Sequence, residues 1–398
     1  MAIISKIDIS SLLNILIYSV LAILIFCLVY FVSFNPISPD ANLYYGLAQN
    51  LQDGTGYIDN IRNDEIIPTI GHPLIISFFN IIGDSTGVLY GKITLALLLF
   101  FTFLSLRKLN INLLLSYLAI VLIYFFIEKT SLWGVELSLG LSIVLFWFGL
   151  LNFIKEKDTK ASIIFACCIF FSLLVRPVFM PLVSLYIILS IVLFFFSKKY
   201  FIVNRWGVAL LVVFIFFGRT ISELKYNDNR LLGGTYSEIP LYSAFNNYID
   251  LERNYSSTLW KSLPKNIQEE AIAPLQRNGE NWQIRAAKLK TKVIEFVINE
   301  PQKAFKGYLW RLKKFSFWAD SSIYKYMLFV FVFLLVFSLV KYKLTNYYNI
   351  IAILIVLYSI FIQSVFPFAG SRYYLFPGLC IFFGSAYLFS IISLKFKK

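Results

Sequence analysis

Residues 38–57 read SPDANLYYGLAQNLQDGTGY and follow a long apolar run, which puts a carboxylate, Asp40, just beyond a membrane boundary. Pro39 favours an extended residue before it and a helix after it, and Asp40 falls where a carboxylate meets the positive end of that helix. Leu43, Tyr44, Leu47, Ala48 and Leu51 then recur at i, i+3 and i+4, and the pattern stops at Asp53, Gly54 and Gly56. The spacing predicts a short amphipathic helix lying flat on the membrane. On spacing alone, the simplest role for Asp40 is to cap that helix.

The rest of the chain makes a membrane setting the natural one. Of its 398 residues 59% are hydrophobic, 18% aromatic and only 15% charged, a balance foreign to soluble domains. The first apolar run, Ser11 to Phe34, is too long for a signal-peptide core and has no small-residue cleavage site, so it should remain as an anchor. Further apolar runs lie near 86–106, 111–127, 131–154, 160–176, 178–196, 203–221, 326–341, 346–366 and 373–394, which gives about ten spans. Pro177 is the reason for dividing 160–196 in two. The run from Pro73 to Ile82 is half a membrane thick and reads as a re-entrant or interfacial helix. The expected fold is therefore all-α and polytopic. Residues 1–220 form a transmembrane module with its first outer loop at 35–85, residues 221–325 a helical loop on the outer face, and residues 326–398 the last transmembrane helices.

Orientation follows from the basic connections. Lys6, then Arg107 and Lys108, then Lys155, Lys157 and Lys160, then Lys198, Lys199 and Arg205, then Lys341 and Lys343, and finally Lys395, Lys397 and Lys398 fall on alternate connections. That set is expected to be cytoplasmic together with both termini, leaving Asp40 and the segment from Ile221 to Lys325 outside. The formal charge of +14 is then largely a topology signal, and no pattern points to nucleic acid. Cys27, Cys167, Cys168 and Cys380 all fall in apolar runs without metal-ligand spacing, so no metal site is expected from them.

In the outer segment, short helices are predicted over 262–275 and 285–298, the second with Leu289, Val293, Phe296 and Val297 on one face. Pro301 opens a third, in which Phe305, Tyr308, Leu309, Leu312 and Phe315 form an apolar stripe opposed by Lys303, Lys306, Arg311, Lys313 and Lys314. A basic amphipathic helix ending in Trp318 before a span suits the outer headgroup layer, with anchoring as its simplest role.

Ionisable groups inside or at the ends of spans are costly and so are candidates for function. Here Lys92, Glu128, Glu136, Arg176, Arg219 and Arg372 all fall at the predicted outer surface, with Asp40 and the single histidine, His72. Together they supply cations able to hold a phosphate and carboxylates able to take a proton. Each has a plainer alternative. Lys92 and Glu136 could pair within the bundle, the arginines could snorkel to headgroups, and His72 could be a turn residue between Gly71 and Pro73.

The segments PDANLYYGLAQNLQDGTGY at 39–57 and IIPTIGHPLIISFF at 66–79 resemble the first outer loop of GT-C glycosyltransferases, in particular bacterial relatives of protein O-mannosyltransferases and lipid A aminoarabinose transferases. Asp40, Tyr44 or Tyr45, Ala48, Gly54, Gly56, Tyr57 and Pro73 match that pattern. Glu136 is similar to the family's acidic residue near the start of the fourth span, Arg176 and Pro177 to its RP pair, and RYYLFPG from Arg372 to its signature opening a late span. INEPQKAFKGYLWRLKKFSFW, residues 298–318, is similar to the family's outer-loop helix before the C-terminal spans. Two departures stand out: Ala41 follows Asp40 where many relatives carry a second polar or acidic residue, and His72 stands where Tyr or Pro is usual.

The resemblance implies transfer of a sugar from a polyprenyl-phosphate donor to an acceptor hydroxyl at the outer face, with inversion. It implies Asp40 as the base, with Glu136 and His72 as further catalytic candidates, Arg372 with Lys92 or Arg176 at the donor phosphate, and Tyr44, Tyr45 and Tyr57 along the sugar or acceptor. No cofactor is expected, because the sugar arrives activated on lipid; metal dependence is not legible. The expected partners are the lipid-linked donor, a glycolipid, polysaccharide or protein acceptor, and membrane lipid, in a bacterial inner membrane. The competing readings are a transporter or flippase for lipid-linked glycans, which should show repeated halves and polar groups at both surfaces, and an outer-face polysaccharide polymerase.

Overall fold

Three connections set the direction of the bundle. The computed structural model describes residues 9–30, 32, 39–54, 71–81, 88–130, 134–175, 183–184, 186–188, 205–217, 242, 245, 266, 269, 282–316, 319, 321–342, 347–365 and 374–396. Helix α4, Val88–Lys108, ends in a Schellman turn: Asn110 adopts the left-handed conformation at φ 57°, the Ile111 amide donates to the Leu106 carbonyl and the Asn110 amide to that of Arg107. Asn112 then caps α5, Leu113–Thr130, through its side-chain oxygen on the Leu115 amide. The turn from α6, Gly134–Glu156, to α7, Thr159–Val175, is equally short. Lys157 takes φ 53° and Asp158 accepts from the Ala161 amide at 2.7 Å. Lys108 and Glu156 form a 3.0 Å ion pair between these two turns, so α4 and α6 end on the same face. The last helix ends there too, since Ser390 donates to the Leu109 carbonyl. The starts of all three helices consequently share the opposite face.

The remaining helices are α1 (Ile9–Tyr30), α2 (Pro39–Gln52), α3 (Gly71–Ile81), α8 (Arg205–Phe217), α9 (Trp282–Asn299), α10 (Pro301–Lys314), α11 (Ser322–Tyr342), α12 (Tyr347–Val365) and α13 (Leu375–Phe396). No strand occurs among the described residues. Among the described residues five helices are long and apolar enough to cross a membrane: Leu13–Tyr30, Val88–Lys108, Glu136–Glu156, Ser322–Lys341 and Leu375–Leu394. The runs expected near 111–127, 160–176, 203–221 and 346–366 form shorter apolar helices, as does Gly71–Ile81. Most of the run at 178–196 lies outside the described residues, as does most of the helix expected over 262–275.

One apolar core joins residues from α1, α4, α5, α6 and α7 to residues from α11, α12 and α13. Its centre is a close approach at Gly140. A Cβ there would stand 2.8 Å from Leu98 Cδ1, with Leu375 and Leu379 beside it, so α4, α6 and α13 meet where α6 carries no side chain. Below it, Trp147 stacks on Phe383 at 5.8 Å. Small residues at such crossings let helix backbones approach closely, which in lipid does the work that apolar contrast does in water.

Two helices begin differently from the sequence reading. Helix α2 opens at Pro39, so Asp40 lies inside its first turn and not at the cap, and α9 opens at Trp282, three residues before its expected start. Helix α10 opens at Pro301 as expected, but the face it packs is rotated from the expected stripe, keeping Phe315 buried and Tyr308 and Leu312 half-buried. Ala304, Gly307 and Arg311 are buried, whereas Phe305 and Leu309 of the expected apolar stripe are exposed.

Candidate functional site

At the face where α4 and α6 begin, α2 packs along α3. Helix α3 opens with Gly71, His72 and Pro73; proline costs nothing there, because the first turn has no partner for its missing N–H. A Cβ on Gly71 would stand 2.5 Å from the carbonyl carbon and oxygen of Leu174 and 2.8 Å from the Val175 nitrogen. The end of α7, and with it the residue preceding Arg176, therefore lies directly against the residue preceding His72.

His72 is 2% exposed, in a helix turn and not in a loop. Its Nδ1 is 2.8 Å from the Tyr90 hydroxyl and 3.0 Å from Ser138 Oγ, and Tyr90 and Ser138 are themselves hydrogen-bonded. Thr94, one turn after Tyr90 and also buried, presents its hydroxyl to the same phenol. The imidazole edge meets the Tyr44 ring at 4.7 Å between centroids, and Phe79 packs edge-on against Tyr90 at 5.5 Å. Tyr44 and Tyr45 complete a small apolar cluster with Ala48, Ile76, Phe79 and Tyr90, which holds α2 against α3 and α4. Three helices that the sequence separates by up to 66 residues thus deliver an imidazole and two hydroxyls to one buried point.

Glu136 sits in the first turn of α6, 4% exposed, where the helix dipole favours a negative charge, and close enough for that charge to bear on the Tyr90 hydroxyl. The pairing of Lys92 with Glu136 considered from the sequence does not form. Lys92 lies two positions from Tyr90, hence on the other side of α4, and its ammonium stands over the Tyr30 ring at the end of α1, 5.6 Å from the centroid. Lys92 is therefore at the α1 side of the site and Glu128 is exposed on α5. Asp40 is one helical turn before Tyr44 in α2. Tyr57, Arg176, Arg219, Arg372 and Trp318 lie outside the described residues.

The start of α13 is fixed from the end of α10 and the start of α11. The Tyr374 hydroxyl donates to the Lys314 carbonyl at 3.2 Å and its ring meets Phe315 and Tyr324, while Tyr324 donates to the Phe315 carbonyl. Beside them Arg311, expected among the solvent-facing cations, is fully buried: Nε donates to the Ser364 carbonyl at 2.8 Å and the guanidinium lies 4.6 Å from the centre of the Phe245 ring. Burial raises the neighbouring Tyr308 phenol above its ordinary value, with Arg311 acting in the opposite sense.

Sequence reasoning missed Tyr90, Ser138 and Thr94, and placed Arg311 on the basic face of its helix and not in the interior. The first three sit within apolar runs, where hydroxyl residues raise no alarm. Arg311 shares its helix face with Ala304 and Gly307, and that small-residue spacing was the available signal. Among the described residues no group of three or more His, Cys, Asp or Glu side chains is arranged to hold a metal ion. No protein-family model, curated protein sequence or solved structure matches the chain.

Proposed function

We propose that this protein is an integral-membrane glycosyltransferase of GT-C type, moving a sugar from a polyprenyl-phosphate donor to an acceptor hydroxyl at the outer face with inversion. The observation that carries the reading is the meeting of α2, α3, α4, α6 and the end of α7 around His72, Tyr90 and Ser138. Those elements contain or adjoin the segments on which the family resemblance rests: the loop helix of Asp40, the Gly71-His72-Pro73 turn, the Glu136 turn and the approach to Arg176. In this reading the four shorter apolar helices between α5 and α12, and the run at 178–196, also cross the bilayer, giving about ten spans.

The chemistry follows from the groups at hand. Asp40 takes the proton of the acceptor hydroxyl as its oxygen forms a bond to the anomeric carbon, and the bond from that carbon to the phosphate oxygen breaks with its electron pair on the phosphate. Arg372, with Arg176 or Lys92, stabilises the phosphate as charge develops on it. Tyr44, Tyr45 and Tyr57 offer ring faces and hydroxyls to the sugar or acceptor. Glu136 holds negative charge behind the Tyr90 hydroxyl, and membrane lipid presents the donor.

Purified protein in proteoliposomes, given a panel of radiolabelled polyprenyl-phosphate sugars, should release polyprenyl phosphate and transfer label to a glycolipid, polysaccharide or protein acceptor from the same cells. Label that crosses the bilayer still attached to its lipid would instead mark a carrier of lipid-linked glycans.

A further inference from the structure

We propose that Tyr90 and Ser138 are positioning residues that hold His72 as the group through which this site passes a proton. His72, Tyr90 and Ser138 come from three different helices, each is buried, and each hydrogen-bonds the other two. A phenol hydroxyl has one proton and two lone pairs, so Tyr90 can donate to one neighbour and accept from two. When Nδ1 is unprotonated, Tyr90 donates to it and accepts from Ser138 and Thr94. When Nδ1 carries a proton, the imidazole donates to Tyr90 and the hydroxyls turn the other way. Nδ1 is therefore satisfied with or without its proton and without moving a heavy atom, which an apolar cage could not achieve, because an unpartnered buried donor or acceptor is costly.

The groups around the imidazole set the balance. Tyr44 faces it from α2 and Tyr90 from α4, with Tyr45 beside Tyr90 and Glu136 bearing on the same hydroxyl network from α6, while the backbone of Leu174 and Val175 in α7 lies against the neighbouring Gly71. The Glu136 carboxylate favours the imidazolium and burial opposes it. This inference rests on the glycosyltransferase reading for its catalytic meaning. Each transfer leaves one proton on the Asp40 carboxylate, and that proton must depart before the next cycle. His72 packs against Tyr44, one helical turn from Asp40, and is the titratable group that can receive it near neutral pH.

The single histidine makes the test direct. The full chain labelled with nitrogen-15 histidine, in lipid nanodiscs, gives one imidazole whose tautomer and titration are read by NMR without any substrate. Wild type should show one defined tautomer in its neutral form, held by the hydroxyl network. Tyr90→Phe keeps the ring packed on Phe79 and Ser138→Ala keeps a good helix former; either should yield a mixture of tautomers and move the titration midpoint. In proteoliposomes the same variants should lower kcat by about tenfold or more with KM little changed, and shift the pH profile of transfer. Should Tyr90→Phe fail to fold, Ser138→Ala carries the test. Tautomer and midpoint identical to wild type in the folded variants would overturn the proposal. Absence of transfer by wild type with every donor would instead refute the glycosyltransferase reading, and the NMR result would still decide how His72 is held.

Discussion

Gly71 and Leu174 approach so closely that a single methyl group on Gly71 would lie 2.5 Å from the Leu174 carbonyl carbon and oxygen. Both obstacles are backbone, which cannot swing aside as a side chain can. This approach joins the turn carrying His72 to the end of α7, and Gly71→Ala should force the two apart. Overpacking of this kind costs about 1 to 3 kcal/mol. Thermal unfolding in detergent should show a lower midpoint for Gly71→Ala, with loss of any transfer activity. An unchanged midpoint would mean that α3 and α7 are less tightly joined than described.

Arg311 offers a second test, because its guanidinium makes two contacts an ammonium cannot make together. Arg311→Lys loses either the Nε donor to the Ser364 carbonyl or the planar stacking on Phe245. Leaving a buried carbonyl without its donor costs about 1 to 3 kcal/mol. The variant should unfold at lower temperature than wild type, whereas Lys313→Arg on the same helix should not differ measurably. Equal stability of Arg311→Lys and wild type would return Arg311 to the surface role first expected of it.

Much of the helical bundle was legible because helical runs of apolar residues and tight turns carry their physics locally. Helix α10 shows where that legibility ends. Periodicity located an apolar stripe through Phe305 and Leu309, but in a membrane setting an apolar face can meet lipid as readily as protein. The face that packs is marked by smallness, at Ala304 and Gly307, and it takes a buried arginine with it. The site divides similarly. Charged residues announced themselves, so Glu136 and His72 were found, whereas Tyr90 and Ser138 acquire meaning only when α3, α4 and α6 meet. The Lys92–Glu136 pairing weighed from the sequence does not form because position along a span says nothing of azimuth: two residues from Tyr90 is the opposite side of the helix.

Topology is testable without any substrate. Reporter fusions after Lys157, in the short turn between α6 and α7, and after Lys199 should report the cytoplasm, and a fusion at Asn247 should report the outside. A cytoplasmic signal at Asn247 would invert the bundle and remove the outward-facing site with it.

The central claim is that Asp40 takes the acceptor's proton, and Asp40→Asn tests it most directly. Inside the first turn the change to asparagine removes only a charge–dipole interaction of about 0.3 to 1 kcal/mol, so α2 should form and the protein should insert normally. Loss of a general base slows reactions by about 10² to 10⁴-fold, or roughly 3 to 5.5 kcal/mol of barrier. In proteoliposomes with the lipid-linked donor, Asp40→Asn should bind donor as wild type does, because cations hold the phosphate, while transfer falls by that factor. Near-normal transfer by a correctly inserted Asp40→Asn protein would contradict the account and return Asp40 to a purely structural place in the first turn of α2.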